Sequence, residues 1–201
     1  MPIVYRSELG RPLTYGEMDG NFADLAARTD TAWMMDGVEP SIREGLGNPA
    51  ELKQFKDSIF AYAYAPTSLS ESFANWDVPF DWAVGTDLYL AFHWSPGNST
   101  GTGNVRWGVD YTWATVNGTF GPTVTAYYDS AADGTAYKHY QKVSTPFPGD
   151  QVEPNMRFLL RIFRDGFSGP DTFPADAFLI GLDFYYQVNK FGLQSFTPPY
   201  P

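Results

Sequence analysis

The chain has 201 residues, no cysteine, 13 Lys and Arg against 23 Asp and Glu, and a formal net charge of −10. That length suits one domain of ordinary size, or a domain plus a short appendage, and the lack of cysteine excludes disulfides, thiolate catalysis and cysteine-based zinc sites. Aromatics reach 17% while charged residues are only 18%. The surface must therefore be covered largely by Ser, Thr, Asn, Gln, Gly and Tyr, which suits an extracellular or particle-bound protein.

The first element is the segment RPLTYGEMDGNFADL, residues 11–25. Thr14 is placed to cap a helix by accepting from the Glu17 N–H, and the Glu17 side chain can reach back to the Thr14 N–H, which makes a capping box. Leu13 and Met18 have the spacing of a hydrophobic staple. Met18, Phe22 and Leu25 then share one face, with Ala26 beside them and Thr29 continuing the stripe. After Trp33, Met34 and Met35 comes a stretch broken by Gly37, Pro40, Gly45, Gly47 and Pro49. It reads as an extended arm with at most one short helical turn near Ala50 to Phe55.

From Ile59 the period becomes two. IFAYAYA and SESFANWDV read as strands, and TDLYLAFHW puts Leu88, Leu90, Phe92 and Trp94 on one face with Tyr89, Ala91 and His93 on the other. In NVRWGVDYTW, Val105, Trp107, Val109, Tyr111 and Trp113 alternate with Arg106, Gly108, Asp110 and Thr112. TVTAYY, AYKHYQKV, MRFLLRIF and AFLIGLDFYYQV follow, the last with Phe178, Ile180, Leu182, Phe184, Tyr186 and Val188 on one side. About eight strands with turn-rich loops and no helix between them predict a mainly β fold, an antiparallel sandwich of jelly-roll type. The expected division is an anchoring helix and arm over 1–56, then the sandwich over 57–201. The ending SFTPPYP is biased to polyproline II.

Candidate chemistry is sparse. Nucleic acid is not an expected partner, because no run of Lys and Arg supplies the basic footprint it needs. MPIVYRSELGRP does not read as a signal peptide, and no apolar stretch reaches the ~18 residues of a membrane span, so no membrane insertion is expected. His93 and His139 are the only histidines, 46 positions apart, which is poor spacing for a zinc site, and His93, on the polar face of its strand, reads as a hydrogen-bonded or interface residue rather than a metal ligand. A Ser-His-Asp set is open by composition, but there is no G-x-S-x-G elbow. Two acids inside apolar strands, Asp110 and Asp183, are the candidates for a glycosidase pair. Arg106 lies four positions before Asp110 on the same face and makes a charge pair the simpler account. DSAADGT fails as a calcium loop because its third and twelfth positions are Ala131 and Tyr140, so an Asp133–Gly134 turn explains it better. Tyr127, Tyr128, Tyr137, Tyr140, Tyr185 and Tyr186 supply aromatics for both strand faces. His93, Tyr128, Tyr140 and Tyr185 are thus candidates for a subunit interface or for surface recognition, of a sugar for instance. No cofactor, metal or catalytic residue is expected.

The first segment resembles one that recurs near the start of tail-fibre and related virion proteins of tailed phages, through Arg11, Leu13, Thr14, Glu17, Asp19, Asn21, Phe22 and Leu25. GTDLYLAFHWSP followed by VRWGVDYTWA also resembles a β-domain of virion proteins from phages of aquatic bacteria. There a His-x-His-Trp stretch is usual, and this chain has Ala91 in place of the first histidine. The two resemblances cover about a third of the chain. They imply a virion location and a structural, non-enzymatic protein, usually trimeric. The apolar face of the helix, Leu13, Met18, Phe22 and Leu25, is then the expected contact with other virion proteins, and a host surface glycan is a further candidate partner. A small tail-fibre-type appendage is the reading favoured here. A capsid-decorating protein is the alternative, and a carbohydrate-active or carbohydrate-binding sandwich is the alternative of another class.

Overall fold

The computed structural model describes residues 11–29, 32–42 and 48–188, except the side chains of 24–29 and 32. The expected extended C-terminal segment therefore lies outside the described residues. Helix α1 (Tyr15–Thr29) comes first. Its cap is closed from both sides: the Thr14 N–H donates to Glu17 Oε2 at 2.8 Å and the Glu17 N–H to Thr14 Oγ1 at 3.2 Å. Arg11 clamps the same carboxylate through Nη2 and Nη1 at 2.6 and 2.9 Å. The Arg11 guanidinium, and then the Thr14 N–H, hold the Glu17 carboxyl down to about 2.

All eight expected strands form: β3 (Ile59–Tyr64), β4 (Leu69–Asp77), β5 (Tyr89–Ser95), β6 (Thr102–Ala114), β7 (Val124–Asp133), β8 (Tyr140–Val143), β9 (Arg157–Asp165) and β10 (Ala177–Val188). Two more precede them, β1 (Ala32–Val38) and β2 (Glu51–Lys56). One sheet has the order β2-β3-β10-β5-β8 with β1 also on β10, and the other is β4-β9-β6-β7, all antiparallel. From β3 to β10 the chain changes sheet at every connection but β6–β7, which gives the jelly-roll-like sandwich. The inner faces meet on a core rich in aromatic rings, with Trp76 stacked on Phe184 at 4.0 Å. Leu88, Leu90, Phe92 and Trp94 are fully buried, as their alternation requires.

The arm is corrected by pairing. Residues 51–56 are not a helical turn but a strand in a hairpin with β3, turning at Asp57, whose φ of 51° is one that Asp tolerates. Local helix formers such as Glu51, Leu52 and Lys53 yield to a partner strand, the usual override of propensity. β1 pairs with β10 over seven residues, and its Asp36 accepts from Trp76 Nε1 of the opposite sheet at 2.8 Å. Ser41 and Ala50 then bond to Phe73 and Glu71 on the edge of β4. The expected boundary at residue 56 thus falls in a hairpin, with two strands of the sheet before it.

A second correction concerns β10. A bulge between Leu179 and Gly181 breaks its register against β5. One extra residue flips the face. Leu179 therefore enters the core and Ile180 is exposed, while Phe178 packs on the outer side against Phe55.

The inward phase of β9 runs Phe158, Leu160, Ile162 and then Arg164, which is fully buried. All five of its N–H groups find acceptors. Nε and Nη2 take both oxygens of Asp171 at 2.9 and 2.8 Å. Nη1 donates to the carbonyls of Tyr64 and Ala175, and Nη2 also to that of Phe173. Asp171 accepts in addition from the Arg106 N–H at 2.9 Å. Removing one partner of such a pair strands a buried charge and costs about 3–5 kcal/mol. Arg164→Met should lose that much stability in urea unfolding, and Asp171→Leu added to it should restore part of the loss. A loss under ~1 kcal/mol, the worth of an exposed pair, would contradict this.

Candidate functional site

Three surfaces carry the residues singled out by the sequence. The first is the outer face of the six-stranded sheet. Alternation turns Tyr89, Ala91 and His93 of β5 and Asp183, Tyr185 and Gln187 of β10 away from the core. Register sets Tyr89 opposite Tyr185 and Ala91 opposite Asp183. His93 Nε2 lies 2.7 Å from Asp183 Oδ2, and its Nδ1 lies 2.8 Å from His139 Nε2. The carboxylate assigns the proton to Nε2, so Nδ1 accepts from the His139 N–H. Gln141 donates to the Tyr185 hydroxyl at 2.8 Å.

The two histidines that looked distant in sequence are therefore hydrogen-bond partners. Asp183 and His139 sit on opposite nitrogens of one ring, so a single ion cannot reach all three. Among the described residues no group of three His, Cys, Asp or Glu could hold a metal ion. A Ser-His-Asp relay is not formed by this pair, because the far nitrogen of His93 meets His139 rather than a hydroxyl.

Of the four residues proposed for an interface or recognition, His93 and Tyr185 lie on this face. Tyr128 does not. It is buried in the core, tilted against Phe92 at 5.7 Å, and its neighbour Tyr127 points outward instead. Tyr140 is half-buried, stacked on Trp94 at 4.9 Å, with its hydroxyl on Asp133 at 2.5 Å. Asp133 is filled by Lys138, Tyr140 and Thr135, which hold its carboxyl well below the usual range. DSAADGT thus begins a crossing between sheets, with Gly134 at φ 86°.

The second surface is the outer face of the four-stranded sheet. Here Arg161 spans two acids, Glu71 Oε2 at 2.5 Å and Asp110 Oδ2 at 2.7 Å, beside a depression of about 390 Å³ lined by Phe73, Tyr111, Thr112 and Leu159. Arg106 pairs with Asp129, not with Asp110 as expected, because the cross-strand neighbour Asp129 is its register partner. Asp110 and Asp183 project from opposite outer faces of the sandwich. Sheets alone pack ~10 Å apart, and the carboxyls of glycosidases stand ~5–9.5 Å apart. These two acids form no such pair.

The third surface is α1. Phe22 is 69% exposed and Tyr15 85% exposed, while Leu13 and Met18 are half-buried. The side chain of Leu25 lies outside the described residues.

Burial pushes the proton affinity of His93 below its ordinary value of 6.5, and Asp183 opposes that while His139 adds to it. The unfolded chain therefore takes the proton first as pH falls. The contribution of His93 to stability is complete above pH 6.5 and is lost as pH drops through the folded value. The melting temperature should fall more steeply between pH 7 and 5 in the wild type than in His93→Gln. Equal slopes would contradict this assignment.

No family model and no curated relative matches the chain. Among solved structures, it is similar to the CBM22-1–GH10 modules of Clostridium thermocellum xylanase 10B complexed with xylohexaose, at 11% identity and a TM-score of 0.39. That match covers 83% of this chain and 28% of the xylanase chain. It is similar also to TmCBM61 in complex with β-1,4-galactotriose, at 8% identity and a TM-score of 0.34, over 80% of this chain and 92% of that one. A third likeness is to infectious bursal disease virus, at 11% identity and a TM-score of 0.30, over 72% of this chain and 38% of that chain.

Proposed function

We propose that the chain is a non-enzymatic structural protein of a phage virion, a small tail-fibre-type appendage held through α1 with its sandwich displayed. The observation that carries the reading is the helix itself. α1 closes its own cap with Arg11, Thr14 and Glu17, yet leaves Phe22 69% exposed. A lone amphipathic helix gains most of its stability from packing its apolar face. A virion partner, met only in the particle, would cover Phe22 and complete it. The resemblance of residues 11–25 to the tail-fibre segment supports the same role. The attachment element ends near residue 30, since β1 and β2 belong to the sheet.

The reading includes a homotrimer. Light scattering should give about three times the 22.4 kDa of one chain, and a monomer mass at micromolar concentration would contradict that part. Truncating a buried Phe to Ala costs about 3–5 kcal/mol, and 1.4 kcal/mol is tenfold in affinity. Phe22→Ala should therefore reduce incorporation into particles by roughly a hundredfold or more, with the melting temperature of the free protein unmoved. A large drop in melting temperature with incorporation intact would overturn the reading. Micrographs of labelled virions place the protein: label on the tail supports the fibre, and label on the head replaces it with capsid decoration.

A further inference from the structure

The outer face of the six-stranded sheet holds more than the histidine pair. β1 adds Trp33, Met35 and Gly37, in register with Gln187, Tyr185 and Asp183. Trp33 is 51% exposed and meets Tyr89 edge-on at 5.8 Å, so Trp33, Tyr89, Tyr185 and Met35 form a ridge at one end. Away from that ridge two positions, Gly37 and Gly181, carry no side chain, with exposed Ile180 beside the second. A Cβ built on Gly181 would meet nothing within 4 Å, and one on Gly37 would meet only Asp183 Oδ1 at 3.7 Å. Next to this low ground runs a polar layer, with Gln141 on the Tyr185 hydroxyl and Asp183 Oδ2 on His93.

We infer that this face is a binding site for a neutral oligosaccharide, with Trp33 and Tyr185 as stacking platforms and Asp183 and Gln141 as hydroxyl partners. A pyranose ring presents a C–H-rich face rimmed by hydroxyls. It needs an aromatic surface beside fixed acceptors and amides, and that is what stands here. Asp183 is held in place by His93, so its Oδ1 is preset to take a charge-assisted hydrogen bond from a hydroxyl. Charge selects the class of glycan. The outward positions named here hold one carboxylate and no Lys or Arg, and Lys138 in the adjoining loop is taken by Asp133. A sialylated or sulfated chain would meet Asp183 with nothing to pair its own charge. The other outer face contrasts with this one, since its acids are already bridged by Arg161 and Arg106.

The inference is independent of attachment through α1. The full-length protein is applied to an array of neutral, sialylated and sulfated oligosaccharides, and the best neutral one is titrated by calorimetry. A neutral oligosaccharide should bind with a Kd of about 1 mM or tighter. Trp33→Ala, Tyr185→Ala and Asp183→Asn should each weaken it at least tenfold, while Phe22→Ala leaves it unchanged. Trp33→Ala is the cleanest arm, since so exposed a ring can be cut without unfolding the protein, and an unchanged melting temperature confirms that. Binding of anionic glycans alone, no neutral binder on the array, or a neutral binder indifferent to Trp33 and Tyr185 would each overturn the inference. Burial of Trp33 between copies, read from its fluorescence emission on dilution, would overturn it too.

Discussion

The guanidinium of Arg164 is the point from which the sandwich is arranged. It projects inward from β9 of one sheet and holds the last carbonyl of β3 in the other, together with the Phe173 and Ala175 carbonyls just before β10. An arginine with five satisfied donors and a bidentate carboxylate has one geometry available to it. That geometry fixes where β10 begins. β10 in turn carries β3 on its first residues, β1 on its last, and β5 along its other edge. The register of the outer face therefore depends on a charge pair at its far end.

Much of this was legible in local pattern, and the rest was not for identifiable reasons. Period-two alternation located eight strands and the phase of β5 and β6, because each strand has one face against the core. The capping box was legible because its partners are three residues apart. β1 and β2 were missed because their pairing is with residues far along the chain, and nothing in WMMDG or ELKQ announces it. The flip at Ile180 was missed because a bulge inserts one residue into an otherwise regular pattern. Arg164 could have been found: carrying the alternation of β9 two residues further places it inside.

The candidate site divides in the same way. The sequence placed His93 on the outward face, but could not show His139 or Asp183 beside it, at separations of 46 and 90 positions in the chain. Tyr128 was assigned to the surface from its pairing with Tyr127, and only the register of β7 shows which of the two turns inward. Gly108 shows the opposite limit. It looked like an ordinary polar-phase position, yet the Phe163 ring lies where its Cβ would stand, at 2.3 Å. That close approach lets Phe163 sit between Arg161 and Tyr127, closing the outer face of the four-stranded sheet with cation–π and ring contacts.

One face of the molecule is thus closed by charge pairs, one is open with rings and amides, and the helix presents a separate apolar surface. The account's central claim is that α1 is completed by a partner and not by its own sandwich. Amide hydrogen exchange on the free protein and on intact particles tests this most directly. The account predicts rapid exchange along Tyr15–Thr29 in the free protein, strong protection there in particles, and core strands equally protected in both. Protection of α1 in the free protein to the level of β6 and β9 would contradict it.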